Sequence, residues 1–335
     1  MSAPGKKPKA RNVADLLNAP KDKLKAEVEN LRKENASLRR LAEDTAAELA
    51  KARKVKARKP QSVKPTKARK RGDVVEVILS DVHGNQHDPE AWRAFLGDLK
   101  SIDPDQVFIG GDFINCGGFL AEHHTIGYVA EMEDSYAEDV ETANRLLDEL
   151  QAHAPRARFD YLEGNHEWRV ERWVCQQKLA HQKDVDLLRR AFAPETVLKL
   201  KERGFHYYSQ GENHGDCQIM GWFHRNKLYY VHKLNNASNA ADRALAQTSA
   251  NVVFFDTHRA DFKPAFKPGA GLFAAWNPGC LCQRQPMYAN TRPTNWTHGY
   301  LVRHIIPASG NFTMANILIE DGVSLGGALM GRGER

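Results

Sequence analysis

The stretch VVEVILSDVH, residues 74–83, combines a strand with two candidate metal ligands. Five of its first six residues are apolar, which is typical of a buried strand. The strand is followed by Asp81 and His83, with Gly84 and Asn85 after them. Residues two apart on an extended chain point the same way, so both side chains can reach one ion. The segment therefore predicts a strand that delivers two ligands into the loop at its carboxyl end.

Composition and length predict a soluble protein with room for one large domain and an appendage. The 335 residues are 41% hydrophobic and 27% charged. No run of 18 apolar residues exists, so we expect no membrane span. The polar N-terminus lacks an apolar signal core, so we expect no secretion by that route. Five cysteines without a framework spacing predict reduced thiols in a cytoplasm, and we expect Cys280 and Cys282 to serve only in packing.

The net charge of +6 hides a strong asymmetry along the chain. Residues 51–71 carry 11 Lys and Arg and no acid, whereas residues 72–335 carry 26 basic and 34 acidic residues. A mildly acidic body is therefore joined to a strongly basic segment. The predicted organisation is a disordered N-terminus (1–22), a coiled-coil helix (23–50), a basic linker (51–72), a catalytic body (73–322) and a flexible tail (323–335).

A heptad pattern over residues 24–49 predicts the coiled coil. Glutamates at g precede arginines at e by five residues, the spacing of interhelical pairs in a parallel dimer, and one Asn at an a position favours two strands. We predict a weak homodimer. The alternative is a solvated single helix, because four heptads are few and Thr45 occupies a d position. The a and d positions are Leu24, Val28, Leu31, Asn35, Leu38, Ala42 and Leu49.

The basic linker contains prolines at 60 and 65 and no aromatic residue. Like charges at this density oppose compaction, so we expect an extended segment. It would attract nucleic acid or another polyanion through phosphates, without reading sequence. A solubilising spacer is the alternative. The residues predicted to make these contacts are Lys51, Arg53, Lys54, Lys56, Arg58, Lys59, Lys67, Arg69, Lys70 and Arg71.

Strands and helices alternate in the first half of the body, which is typical of α/β proteins. We predict strands at 74–79, 106–110 and 158–162, and helices at 89–102 and 133–151. In such sheets the functional site lies at the carboxyl ends of the strands. Residues 168–205 are predicted to be helical, with a break at Pro194. Further strands are predicted at 227–231, 251–255, 272–276, 299–304 and 312–319, the last two as a hairpin.

Side chains of metal-ligand type follow five of these strands. A purely structural explanation would have to place ligand-type residues after five strands by chance, so we favour a functional explanation. The donors are carboxylates, an amide and imidazoles, without a thiolate, which suits Mn, Fe, Zn or Ni. The set is too rich in nitrogen for Mg or Ca alone. Its members are Asp81, His83, Asp112, Asn165, His166, His232, Asp256 and His258.

The order Asp-x-His, Gly-Asp, Gly-Asn-His-Glu, His and Thr-His resembles the calcineurin-like metallophosphoesterase superfamily over roughly residues 74–322. The Asn-Pro-Gly segment at 277–279 resembles small bacterial and phage members. The resemblance implies a four-layer α/β/β/α sandwich with two mixed sheets, here preceded by the coiled-coil helix. It also implies a dinuclear metal site at the edge of the sheets, in a bacterial or phage-infected cytoplasm.

The resemblance also implies a role for each ligand-type residue. A hydroxide between the two ions would attack phosphorus in line, and His166 would protonate the leaving oxygen or stabilise the transition state. The first ion would be held by Asp81, His83 and His258, the second by Asn165 and His232, and both by the bridging Asp112.

Five further residues are candidates for substrate contact or for orienting the site. Asn115 is predicted to orient His166. Arg169 either clamps phosphate or pairs with Glu167. His123 and His124 would line the substrate cleft, although histidines in loops are often simply exposed. Lys233 would contact an anionic substrate or repel a metal ion.

Two positions depart from the pattern of the superfamily. Lys233 replaces the usual glycine after His232, and Asp256 stands where a histidine for the second metal is expected. We predict that Asp256 still binds the second ion and shifts the preference towards harder ions such as Mn. The alternative is a weakened or lost second metal ion.

The prediction that follows is a metal-dependent phosphoric ester hydrolase with two divalent ions, Mn in first place and Fe, Zn or Ni as alternatives. Its substrate would be a phosphodiester in nucleic acid or a nucleotide, as in a nuclease. One alternative is a phosphomonoesterase such as a protein phosphatase, which would not need the basic linker. The other is a nucleic-acid-binding protein with a weakened active site.

Overall fold

The computed structural model describes most of the body, namely residues 72–121, 135–177, 181–269, 271–286, 289 and 293–330. The basic linker and the loop with His123 and His124 lie outside the described residues. By its contacts the chain divides into two units, Met1–Lys59 and Pro60–Arg335. Pairing of the predicted coiled coil stays a prediction. Six residues of that segment are described, and all are helical: Lys25, Glu29, Asn30, Arg32, Lys33 and Ala36.

The described part of the second unit contains α-helices and two sheets of β-strands. None of its helices is long and apolar enough to cross a membrane. The helices are α1 (Pro89–Ile102), α2 (Tyr136–His153), α3 (Arg169–Gln176), α4 (Gln182–Phe192), α5 (Pro194–Val197), α6 (Ala240–Thr248) and α7 (Gly326–Met330). The strands are β1 (Val74–Leu79), β2 (Gln106–Ile109), β3 (Arg158–Leu162), β4 (His206–Tyr208), β5 (Trp222–Arg225), β6 (Leu228–Val231), β7 (Val252–Phe254), β8 (Ala260–Lys267), β9 (Gly271–Pro278), β10 (His298–Ile306) and β11 (Asn311–Ile319).

Both sheets are mixed. The first has the order β11-β10-β1-β2-β3-β4, and the second has the order β5-β6-β7-β9-β8. In the first sheet β1 to β4 are parallel, while β10 lies antiparallel to β1 and to β11. In the second sheet β6, β7 and β9 are parallel. The parallel strands bring the ligand-bearing loops to one edge of each sheet.

Three buried clusters show the four layers. One lies between the first sheet and helices α1 and α2, and includes Val77 and Phe95. A second lies between the sheets and includes Ile78 and Tyr230. A third joins the second sheet to α6. Val77 and Ile78 are neighbours that point to opposite faces of β1, as in any strand covered on both sides. The predicted α/β/β/α sandwich with two mixed sheets is thereby confirmed.

Charged side chains join the two sheets inside their shared interface. Arg225 donates to Glu76 at 2.6 Å and to Asp160 at 2.8 Å. Arg303 donates to Glu76 at 3.1 Å and to the Tyr230 hydroxyl at 2.8 Å. The Tyr230 hydroxyl in turn donates to Glu76 at 2.6 Å. Glu76, Asp160 and Arg303 are fully buried, so each charge depends on these partners.

Part of the segment predicted as a flexible tail forms helix α7, while its flexibility stays a prediction. The Gly327 amide donates to Asp98 Oδ1 at 2.6 Å, on helix α1. A Cβ atom at Gly326 would lie 1.9 Å from the Tyr300 hydroxyl. The glycines that suggested a loose tail are needed because α7 lies so close to α1 and β10. Residues 331–335 lie outside the described residues.

Candidate metal centre

Five strand ends meet at one site. The loops after β1, β2 and β3 come from the first sheet, and those after β6 and β7 come from the second. The five loops carry the polar side chains that the sequence singled out. Among the described residues, three groups of candidate donors at this site have atoms within 4.8 Å of one another. These groups are His83, His258 and Cys282; His83, Asp112 and His166; and Asp81, Asp112 and His232.

The donor atoms face one another closely. His258 Nε2 lies 3.1 Å from Asp81 Oδ1 and 3.2 Å from His83 Nε2. Asp112 Oδ2 lies 3.2 Å from His232 Nε2 and 4.0 Å from His83 Nε2. Asp112 therefore stands between two sets of nitrogen donors, at separations that suit ligands converging on cations.

Backbone conformation marks the same positions. Five candidate ligands have positive φ angles, in the left-handed region that non-glycine residues seldom adopt. Such residues cost ~1–3 kcal/mol each and persist only where the surrounding structure enforces them. These positions lie in three of the five loops, those after β1, β2 and β7. The residues are Asp81 (φ 55°), His83 (φ 57°), Asp112 (φ 49°), Asp256 (φ 68°) and His258 (φ 58°).

Glu167 fixes the loop of Asp112. One of its carboxylate oxygens accepts from the amides of Asp112 (2.9 Å) and Gly164 (3.0 Å). The other accepts from the Phe113 amide (2.9 Å) and the Tyr161 hydroxyl (2.6 Å). A Cβ atom at Gly164 would lie 2.2 Å from Asp112 Oδ1, so the close approach requires glycine. Glu167 thus holds the loops after β2 and β3 together.

His166 is oriented by a main-chain oxygen. Its Nδ1 donates to the Asn115 carbonyl at 2.7 Å, which leaves Nε2 towards the site. Arg169 donates to His166 Nε2 at 2.9 Å and to the same carbonyl at 3.0 Å. Asn115 therefore contacts His166 through its backbone. Arg169 reaches His166, while the Glu167 carboxylate is occupied by the loops after β2 and β3.

The other histidines also direct one nitrogen inward. His232 Nδ1 donates to the Gly110 carbonyl at 2.7 Å, so Nε2 faces Asp112. His258 Nδ1 lies 3.9 Å from Cys282 Sγ, and its Nε2 faces Asp81. A partner on one imidazole nitrogen fixes which nitrogen is left for a metal ion.

The charges of the candidate ligands shift one another's pKa values. Burial raises the pKa of Asp112, but His232 and His166 outweigh burial and hold this pKa well below its usual range. Burial lowers the pKa of His232, but Asp112 outweighs burial and raises it to about 10. Burial lowers the pKa of His83 to about 4, with Asp112 opposing the shift. At neutral pH an ionised Asp112 therefore lies beside a protonated His232, where a cation could replace the proton.

Unpartnered buried atoms test whether these residues fit a cation. Among the described residues, both carboxylate oxygens of Asp81, Asn165 Oδ1 and His232 Nε2 are buried without a hydrogen bond of acceptable geometry. Buried polar atoms otherwise find hydrogen-bond partners in most cases. The orphaned atoms belong to candidate ligands, and once His232 has lost its Nε2 proton they all carry the lone pairs that a divalent cation needs. The residues present therefore fit a metal ion.

Asp256 lies outside the three close groups of donors. Its two carboxylate oxygens each lie 3.3 Å from Lys233 Nζ. Burial raises the pKa of Asp256, with His232 opposing the shift. The structure thus pairs the two positions that depart from the superfamily pattern with each other.

Sequence reasoning missed two residues that touch His258. Cys282 comes within 3.9 Å of His258 Nδ1, and its own carbonyl accepts from His298 Nε2 at 2.8 Å. The Trp296 ring meets the His258 ring edge-on, with centroids 4.0 Å apart. The only signal was the position of Cys282 just after the Asn-Pro-Gly segment, because neither residue lies within a strand-end motif.

Fold and site together define a metal-dependent phosphoester hydrolase. The sequence profile of the calcineurin-like phosphoesterase family matches residues 77–276. The chain belongs to this family, and the resemblance noted in the sequence is confirmed.

The solved structures that the chain matches share little sequence with it. A single mutant of Vps29 from Entamoeba histolytica is 12% identical, with a TM-score of 0.36, over 75% of this chain and 95% of that one. A predicted phosphoesterase from Streptococcus pneumoniae is 14% identical, with a TM-score of 0.29, over 76% of this chain and 97% of that one. No curated protein matches the chain.

Proposed function

We propose that the chain is a dinuclear phosphodiesterase that acts on nucleic acid or nucleotides. The observation that carries the proposal is the position of Asp112. Its Oδ2 lies 3.2 Å from His232 Nε2 on one side and 4.0 Å from His83 Nε2 on the other. A carboxylate between two sets of nitrogen donors suits a ligand shared by two ions.

Each ion would have its own set of ligands. When bound, two divalent ions would polarise a phosphoryl group and lower the pKa of bound water. Mn is the first candidate and Fe, Zn and Ni are alternatives, because the donors are oxygen and nitrogen atoms of mixed hardness. Asp81, His83 and His258 would hold the first ion, Asn165 and His232 the second, and Asp112 both.

His166 and Arg169 would act on the substrate together. Neutral His166 accepts from Arg169 at Nε2, since its Nδ1 proton is committed to the Asn115 carbonyl. Arg169 can turn from this nitrogen to a phosphate oxygen, because a guanidinium binds phosphate in a bidentate manner. His166 Nε2, 3.8 Å from Asp112 Oδ2, would then be free to take a proton from the attacking water and pass it to the leaving oxygen.

The choice of a diester follows from the charge of the chain. The basic linker would draw in a polyanion through its phosphates. Lys233, with half of its side chain exposed, would contact an anionic substrate when its ammonium leaves Asp256. His123 and His124 remain predicted contacts of the cleft.

One observation favours a second candidate, a nucleic-acid-binding protein with a weakened centre. The carboxylate of Asp256 is already neutralised by Lys233. If that pair excluded the second ion, the chain would retain a phosphate-binding site with little turnover.

The test is hydrolysis of bis-p-nitrophenyl phosphate and of its monoester with Mn²⁺, Ni²⁺ or Zn²⁺. We expect diester turnover with about two ions per chain, and a loss on the order of 100-fold or more in Asp112→Ala. Asp242→Ala, which removes an exposed acid paired with Lys263, is the control and should keep full activity. Preferential turnover of the monoester would instead establish the phosphomonoesterase. No turnover with substoichiometric metal would favour the binding protein.

A further inference from the structure

Lys233 and Asp256 are brought together by the register of two parallel strands. Val231 pairs with Phe254 at the carboxyl ends of β6 and β7. The Phe255 amide then donates to the His232 carbonyl at 2.9 Å. One position further on, Lys233 and Asp256 are adjacent, because both chains have advanced by the same number of residues. Their contact is therefore set by the sheet.

Asp256 lies at the rim of the centre and faces inward. Its side chain is 10% exposed, whereas that of Lys233 is 53% exposed. The groups whose charges act on Asp256 are His232, Asp112, Lys233 and Asp81. Three of these four residues, His232, Asp112 and Asp81, are candidate metal ligands. Lys233 is the one cation among them that comes from outside the centre.

We propose that Lys233 is an internal counter-ion that competes with the second metal ion for the Asp256 carboxylate. The Lys233 ammonium lies 3.3 Å from both oxygens of Asp256. A divalent ion at Asn165 and His232 would repel the ammonium and attract the carboxylate, so Asp256 would exchange one cation for the other. The inference rests on the two-ion centre proposed above.

The exchange has a consequence for the substrate. An ammonium released from Asp256 is attached to an exposed, flexible side chain beside the centre. It becomes free to pair with a phosphate oxygen only when the second ion is in place. Binding of the second ion and of an anionic substrate should therefore strengthen each other.

The test is a titration of Mn²⁺ into the metal-free full-length chain, followed by calorimetry and by competition with a chromophoric chelator. We expect one tight and one weaker ion in the wild type. Lys233→Met should tighten the weaker ion by roughly 10-fold, since it removes a positive charge a few ångströms from a dication in a partly exposed site. The affinity for the tight ion should be unchanged.

Variants separate competition from a general effect of charge. Lys263→Met removes a lysine of β8 that is paired with Asp242 of α6. It should change the affinity for neither ion. Asp256→Asn should weaken the second ion. The gain from Lys233→Met should shrink in the double variant, because the two residues act on each other. Lys233 is half exposed, so its substitution leaves the buried core intact.

One outcome would contradict the counter-ion role of Lys233, and another would contradict the dinuclear centre. If two ions bind and Lys233→Met leaves the weaker one unchanged or weakens it further, the counter-ion inference is wrong while the dinuclear centre stands. If every variant binds a single ion, the dinuclear centre itself is wrong. Substrate turnover enters neither comparison, so a failure of the diesterase proposal would be seen separately.

Discussion

Glu167 is a buried carboxylate that accepts hydrogen bonds from three loop amides and from the Tyr161 hydroxyl of β3. It positions Asp112, which in turn accepts from the His166 amide at 2.8 Å. Partners of this kind commonly change metal affinity by 10–100-fold when they are removed. The residue is therefore expected to matter for metal binding without touching the ion.

Glu167→Gln should lower metal affinity by ~10–100-fold. The substitution places an amide donor against backbone amides that also donate, so we further expect a loss of ~1–3 kcal/mol in the free energy of unfolding. Metal titration and urea unfolding measure the two effects. Glu163→Gln is the matched control, because Glu163 accepts from Tyr207, Ser209 and the Gln210 amide, beside β4. Equal metal affinities in both variants would contradict the positioning role.

Asp139 provides a pH-dependent test of stability away from the ligands. Its carboxylate lies against Gly84, where a Cβ atom would be 2.0 Å from Oδ1, and accepts from the amides of Asn85 and Asn115. Burial raises the pKa of Asp139 to about 7, and these backbone donors oppose the shift only in part. A carboxyl with a raised folded-state pKa stabilises the fold fully below its unfolded pKa of about 4, and this stability is lost as the pH rises through about 7.

The free energy of unfolding of the wild type, relative to Asp139→Asn, should therefore fall between pH 4 and pH 7.5. A shift of three pKa units corresponds to at most about 4 kcal/mol. Urea unfolding at several pH values, in the presence of a chelator, measures the difference. The free energy of unfolding of Asp242→Asn should change with pH in parallel with that of the wild type. A parallel curve for Asp139→Asn as well would mean that Asp139 is ionised throughout.

The site residues that could be predicted from the sequence share one property. Asp81, His83, Asp112 and His258 follow strands directly, so strand ends and ligand type were enough to find them. Contacts made through the main chain, such as the carbonyl of Asn115, leave no trace in residue type. Cys282 approaches His258 from a loop beyond β9, and its contact depends on tertiary packing alone.

At the scale of elements, strands and helices were predictable where hydrophobic runs are long. The helix predicted at 89–102 is α1, which Asp88 caps through the amides of Glu90 and Ala91. The sequence missed β4, β5, β8 and α6, which are short, polar or alanine-rich. Strand β8 includes Pro264 and several exposed residues, so its pairing with β9 outweighs a weak local preference.

The interface between the sheets gives a prediction at this scale. Glu76→Gln removes the charge that Arg225 and Arg303 share, and leaves two buried guanidinium groups with one carboxylate. We expect a loss of about 3–5 kcal/mol in the free energy of unfolding. Asp242→Asn breaks an exposed pair and should cost no more than about 1 kcal/mol. Equal losses in urea unfolding would show that the buried network does not hold the sheets together.

At the scale of the whole molecule, the basic linker stays a prediction that salt dependence can test. Replacing its ten named lysines and arginines by glutamine should weaken binding to a DNA duplex. It should also flatten the plot of log affinity against log salt, because each phosphate contact contributes about 0.9 to the slope. A chain with the same linker residues in scrambled order should bind like the wild type. Equal slopes in all three chains would leave the linker as a spacer.

The place of β1 in the first sheet has a consequence for synthesis on the ribosome. Val77 pairs with Val107 on one side and with Val302 on the other, so half of its neighbours are made last. At ~5–20 residues per second, the nascent chain spends roughly 7–30 s with β1 to β3 present and β10 incomplete. During that interval an apolar strand edge is open to other chains. Chaperone protection of this early intermediate should therefore matter more for yield than the stability of the finished protein.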